Sequence, residues 1–217
     1  MKKFVCCLVL ALVSCTQAPV NQGPGSLPKP AEIPAKPEIP TAKGYELPNF
    51  NQKWADFTVK AVKAQLANLN KGKEDMKRFC PKYNELNIDQ QAIAWGYLIS
   101  AMIKFESDYN VNSDYNESDG NVSRGLLQLS YGDQFCPKSK AEGDLHDPYI
   151  NLACGIKIMG SYVARDSVIA AGGYVKYGAP APKGLARYWA VLRVPDSKSK
   201  HELAEIIARS RKAPGCL

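Results

Sequence analysis

Residues 90–110 read QQAIAWGYLISAMIKFESDYN. Ala92, Ile93, Trp95, Leu98, Ile99, Met102, Ile103 and Phe105 surround the whole helical axis instead of forming one stripe. A helix of that kind belongs in the middle of a domain. Asn87 or Asp89 can cap its start. Glu106 closes the run, and a polar stretch comes after it. A carboxylate there is costly unless it is paired, exposed or used. An apolar wall raises its pKa, while the open loop admits a ligand. Such an acid can hold a proton near neutral pH and give it to a leaving oxygen, as glycoside cleavage requires. Taken alone, a glutamate at a helix end is far more often a solvated charge.

Working outward, helical patterns dominate. Trp54, Phe57, Ala61, Val62, Leu66 and Leu69 recur at helical spacing over residues 51–69, with Lys71-Gly72 as the stop. Residues 75–83 read as a short helix around Cys80, and residues 125–130 as a short apolar helix. Asp147-Pro148 is a cap with proline at the first helical position, opening a helix to about Arg165. Residues 184–192 and 200–211 complete the set. Residues 107–123, rich in Ser, Asp and Asn, form a long loop, and long ordered loops are often functional. No segment alternates clearly enough for a useful strand. The expected fold is therefore a single, mostly α domain over residues 49–217, long enough for a real core.

The N-terminal part has other roles. Lys2 and Lys3, the apolar run Phe4–Val13 and Ser14 have the layout of an export signal over residues 1–15, too short to span a bilayer as a mature helix. Leu12-Val13-Ser14-Cys15 resembles the bacterial lipobox, which implies cleavage before Cys15 and lipidation of that cysteine. Ordinary secretion with cleavage after Ala18 is the alternative. Thr16 and Gln17, with no aspartate after the cysteine, suit an outer-membrane address facing the periplasm. Residues 16–48 carry prolines at 19, 24, 28, 30, 34, 37, 40 and 48 and read as an extended tether.

Cys80, Cys136, Cys154 and Cys216 lie in the domain, with no CxxC pair and only His146 and His201 in the whole chain. A zinc site needs a tighter cluster, so no metal or cofactor is expected, and an exported domain of this kind suits two disulfides. Three pairings are open. The favoured one joins Cys136 to Cys154, and ties Cys216 to Cys80 because a free terminus frays. The formal net charge is +7, of which +5 falls in residues 49–217. That modest excess suits an acidic polymer or a membrane surface, and no basic-aromatic motif or dense Lys/Arg block points to nucleic acid.

Three motifs in order carry a family resemblance: Phe105-Glu106-Ser107; then Gly125-Leu126-Leu127-Gln128-Leu129; then Leu145-His146-Asp147-Pro148 with Asn151-Leu152-Ala153-Cys154-Gly155. Together they resemble the successive motifs of lytic transglycosylases and goose-type lysozymes, over about residues 93–160 and more weakly to Arg193. The resemblance implies a lysozyme-like helical domain with a glycan groove. It also implies cleavage of the N-acetylmuramic acid to N-acetylglucosamine linkage of peptidoglycan. By position Glu106 would be the catalytic acid, and Gln128 would point its amide into the groove as a substrate contact. Tyr188 matches the tyrosine of a late helix that lines the site. The asparagine and glycine that accompany it in transglycosylases are missing, which leaves core packing as an equal reading.

The loop from Glu106 to Gly125 is close in length to that of goose-type lysozymes. Asp119 falls where those enzymes place a second acid, while Asp108, Asp114 and Glu117 are expected to face water. Ser130 stands where some lysozymes carry another aspartate. Ser107 is expected to bond backbone, and Asn151–Gly155 to serve packing. The leading expectation is a one-acid lytic transglycosylase, acting as a monomer on peptidoglycan from a lipid anchor in the outer membrane. Two alternatives stay open: a hydrolytic lysozyme that uses a second carboxylate, on modified peptidoglycan for instance, and a non-catalytic cell-wall-binding lipoprotein.

Overall fold

A computed structural model describes residues 50–217, apart from 175–177 and 195–196 and the side chains of 197–200. The export signal, Cys15 and the tether lie outside the described residues. The described part is mostly helical. Helix α1 (Gln52–Leu69) packs on α3 (Ile88–Glu106) and α4 (Pro148–Asp166), and α5 (Ser197–Ser210) also packs on α3. The short α2 (Lys73–Met76) links α1 to α3. None of the described helices is long and apolar enough to cross a membrane.

Helix α3 is the axis of the domain. Every residue from Ala92 to Ile103 is buried, as an apolar circumference requires. Its start is a capping box: Asn87 accepts from the Gln90 backbone N–H while the Gln90 side chain accepts from the Asn87 N–H. In the interior Trp95 Nε1 donates to Tyr83 Oη (3.0 Å), and Tyr83 Oη in turn donates to Asn70 Oδ1 (2.7 Å). Asp147 caps α4 by accepting from the N–H groups of Tyr149 and Ile150, with Pro148 directly after it.

Several expected helices are not formed. Residues 75–83 do not make one helix: α2 stops at Met76, and Pro81 disfavours a helical Cys80. The carboxylate of Asp75 instead accepts the distant N–H groups of Ile169 and Ala170. Residues 125–130 are turns, because Arg124 and Leu129 exchange a backbone bridge and both Gly125 and Gln128 have positive φ. Residues 184–192 hold two 3₁₀ turns separated by an extended Trp189. The loop 107–123 contains strand β1 (Asp114–Asn116), paired antiparallel with β2 (Val122–Arg124). A second two-residue pair, β3 (Ala170–Ala171) with β4 (Lys183–Gly184), comes after α4. Strands of two and three residues are too short for an alternation to register in the sequence.

Disulfides join Cys80 to Cys216 and Cys136 to Cys154, with Cα–Cα distances of 4.6 and 5.1 Å. The first ties the C-terminus beside α2, where Lys82 N–H also donates to Cys216 O. The second ties the segment after the Gly125–Leu129 turn to α4.

That turn is clamped onto α4 by one buried side chain. Asn151 Oδ1 accepts from Leu127 N–H (2.9 Å), and Asn151 Nδ2 donates to the carbonyls of Arg124 and Leu145 (2.9 Å each). Gly125 must be glycine: it sits at φ +70°, and a Cβ there would stand 2.4 Å from Leu145 O. One turn further along α4, a Cβ on Gly155 would meet Leu127 Cδ1 at 2.4 Å. Asn151→Ala leaves the buried Leu127 N–H and Leu145 carbonyl without partners, while Arg124 O keeps the Leu129 N–H, and it should lower stability by about 2–4 kcal/mol. Urea denaturation monitored by circular dichroism measures this; a loss below about 0.5 kcal/mol would contradict the clamp.

Candidate active site

A pocket of about 400 Å³ opens where the end of α3, the β1–β2 hairpin, the Gly125–Leu129 turn and the Leu185–Leu192 turns meet. Glu106 enters it from the last residue of α3. Ser107, the next residue, donates its hydroxyl to Leu126 O (3.0 Å), so the helix end and the turn are fixed together. The Glu106 residue is only half-buried, yet its Oε1 is withdrawn from solvent and has no hydrogen-bond partner among the described residues. Burial is the main force on its titration. The neighbouring carboxylates of Glu202 and Glu117 push the same way, and the guanidinium of Arg193 opposes them. The Glu106 pKa is raised to about 8.

Tyr188 and Trp189 form the opposite wall, their rings 4.7 Å apart between centroids. Trp189 is buried and donates its indole N–H to Leu127 O (3.0 Å), which anchors the wall to the same turn. Tyr188 donates its hydroxyl to Asp133 Oδ2, and that oxygen also accepts from Ser130 N–H (2.7 Å). Burial and the Asp133 carboxylate hold the Tyr188 proton in place far above its ordinary range. Nothing in the local sequence marks Asp133 as Tyr188's partner, since 55 residues separate them.

The other candidates divide. Gln128 lines the pocket, but its amide nitrogen donates to the carbonyls of Gly125 (2.9 Å) and Ser113 (3.2 Å). Its donor side is therefore turned inward and braces the loop. Asp119 also lines the pocket, with its two oxygens accepting from the backbone and side-chain nitrogens of Asn121 (3.0 and 2.9 Å). Glu117 shares the pocket and acts electrostatically on Glu106; Ser123 donates its hydroxyl to Glu117 Oε1 (2.7 Å). As one of several carboxylates in a polar loop, Glu117 is expected from the sequence to face water. Only the pairing of β1 with β2 brings it beside Ser123 and over the pocket.

The raised pKa makes a stability prediction with a definite sign. Between about pH 4.5 and 8 the folded chain keeps the Glu106 proton while the unfolded chain has lost it, so stability falls as pH rises through that window. Glu106→Gln removes this dependence and leaves the shape. The variant should unfold at a higher temperature than the wild type at pH 8, with the difference shrinking towards pH 4.5. Thermal unfolding across that range tests this; a constant difference would contradict it.

No protein-family model and no curated protein sequence matches the chain. Among solved structures it is similar to Bd0314 DslA, a Bdellovibrio protein, in its wild-type form 2. The identity is 37% and the TM-score 0.61, over 76% of this chain and 92% of that one. Two mutants of Bd0314 DslA, each with one glutamate replaced by glutamine, match over the same shares at 37% identity, with TM-scores of 0.62 and 0.61. The two replaced glutamates stand 11 positions apart in that protein, which is the spacing of Glu106 and Glu117 here. With that identity over nine-tenths of the relative's length, the chain belongs to the family of Bd0314 DslA.

Proposed function

We propose that this protein is an exported glycoside hydrolase of peptidoglycan. It cleaves between N-acetylmuramic acid and N-acetylglucosamine, with Glu106 as general acid and Glu117 as the second carboxylate. The observation that carries this reading is the pair of glutamates in one pocket, at the spacing of the two glutamates replaced in the Bd0314 DslA mutants. Glu106 holds a proton up to about pH 8 and is free to give it to the glycosidic oxygen. Glu117, fixed by Ser123, takes a proton from water as that water attacks the sugar. Tyr188, oriented by Asp133, borders the sugar beside Glu106. The two disulfides suit an exported chain.

This departs from the one-acid transglycosylase expected from sequence, in which Glu106 alone acts and the sugar's own 6-hydroxyl closes a 1,6-anhydro ring. Mass spectrometry of fragments released from purified cell wall separates the two. Reducing ends are expected, with turnover lowered at least about a hundredfold by Glu106→Gln and by Glu117→Gln. Anhydro ends, with Glu117→Gln as active as wild type, would restore the one-acid mechanism. A wild type that binds wall and releases nothing would support the non-catalytic binder.

The lining also favours a particular substrate. Glu117, Asp119 and Asp133 line the pocket beside Glu106, whose held proton leaves it uncharged at neutral pH. Among the described residues its one lining cation is Arg193, whose Nε and Nη2 donate to the carbonyls of Ala186 and Arg187. So acidic a pocket suits glycan carrying free amines better than fully acetylated glycan. Chemically de-N-acetylated wall should therefore be digested faster than native wall, by at least about threefold in initial rate. Equal rates, or faster release from acetylated wall, would contradict that preference.

A further inference from the structure

Tyr115 is the one aromatic residue of the β1–β2 hairpin, and it is 62% exposed. Its ring makes no hydrogen bond or ring contact with any described residue. The hairpin register gives this exposed ring a direction. Tyr115 lies directly opposite Ser123. Directly paired residues of antiparallel strands project on the same face, with Cβ atoms about 4.5–5.5 Å apart. Ser123 lines the pocket and holds Glu117. Tyr115 therefore stands on the pocket face of the hairpin, two residues or about 7 Å along the strand from Glu117.

The opposite face of the hairpin is tied down. Asp114 pairs with Arg124, whose guanidinium lies 4.8 Å from the Tyr131 ring centroid. His146 places Nε2 2.8 Å from Asp114 Oδ1 and Nδ1 3.1 Å from Asp144 Oδ1, linking the hairpin to the segment ahead of α4. Beyond β1, Glu117 N–H donates to Asn121 O (2.8 Å) and Gly120 N–H to Glu117 O (3.1 Å). The exposed ring is thus carried on a fixed shelf. Tyrosine on such a shelf offers a flat apolar face and loses little side-chain freedom when a ligand covers it.

We propose that Tyr115 is the stacking platform of an additional glycan subsite, one that takes a pyranose ring next to those at the cleavage point. It rests on the function proposed above and extends it. The pocket holds the sugars at the scissile bond, and Tyr115 receives the apolar face of a sugar further along the strand. The site selects for chain length: a short fragment does not reach Tyr115, and a long one does.

The test is calorimetric binding to a protein that does not turn over. The Glu106→Gln protein is compared with Glu106→Gln/Tyr115→Ala and Glu106→Gln/Tyr115→Trp, using a disaccharide and a hexasaccharide of the cell-wall repeat. Tyr115→Ala should weaken hexasaccharide binding by about tenfold, change disaccharide binding less than about twofold, and leave the unfolding temperature unchanged. Tyr115→Trp should restore the hexasaccharide affinity. Unchanged hexasaccharide affinity in Tyr115→Ala overturns the subsite and leaves the proposed function standing. Equal weakening for both ligands, or no rescue by tryptophan, also overturns it. A Glu106→Gln protein that binds neither oligosaccharide removes the glycan reading of the whole pocket, and the subsite with it.

Discussion

A carboxyl oxygen withdrawn from water without a hydrogen-bond donor is the constraint around which this domain is arranged. Glu106 occupies that position at the end of α3. The helix is buried on every side as far as Ile103, and Glu106 follows at its half-buried end, where one carboxyl oxygen is shut off from solvent. That burial is the main force that keeps the proton on Glu106, with Glu202 and Glu117 adding to the effect across space. Such a group is unfavourable for stability at neutral pH. It persists because α3 is held in place by α1 and α5, and α1 in turn by α4.

The surrounding frame converts one buried acid into a site. Asn151 and Gly155 on α4 fix the Gly125–Leu129 turn, Asn151 by three backbone bonds and Gly155 by leaving room for Leu127. The turn in turn fixes both walls: Ser107 is bonded to Leu126 O, and Trp189 to Leu127 O. Both contacts end on backbone carbonyls, so side-chain variation in the turn leaves them intact. Tyr188 and Glu106 then line one pocket from elements that are each tied to the same turn.

Much of this was legible in the sequence, for identifiable reasons. Helix α3 was readable because fourteen residues of apolar circumference admit few other placements, and α4 because Asp147-Pro148 is a local start signal. Asn151 was readable as a packing residue. Short-range and backbone-determined features were not. The turns at 125–130 depend on positive φ at Gln128 and on a bridge between Arg124 and Leu129, neither of which leaves a periodic trace. Glu117 and Asp119 look alike in a polar loop. Only the pairing of two three-residue strands sets Glu117 beside Ser123, while Asp119 turns back on Asn121. The motif implies a Gln128 amide that reaches into the groove, whereas its nitrogen donates to the carbonyls of Ser113 and Gly125.

Burial holds the proton on Glu106 at neutral pH. Carbon-13 NMR of protein labelled at the glutamate side-chain carboxyls tracks each titration directly, and the Glu106→Gln variant identifies the signal that belongs to Glu106. The account predicts a midpoint near pH 8 for that signal. A midpoint near 4.5, the value of an ordinary glutamate, would contradict it.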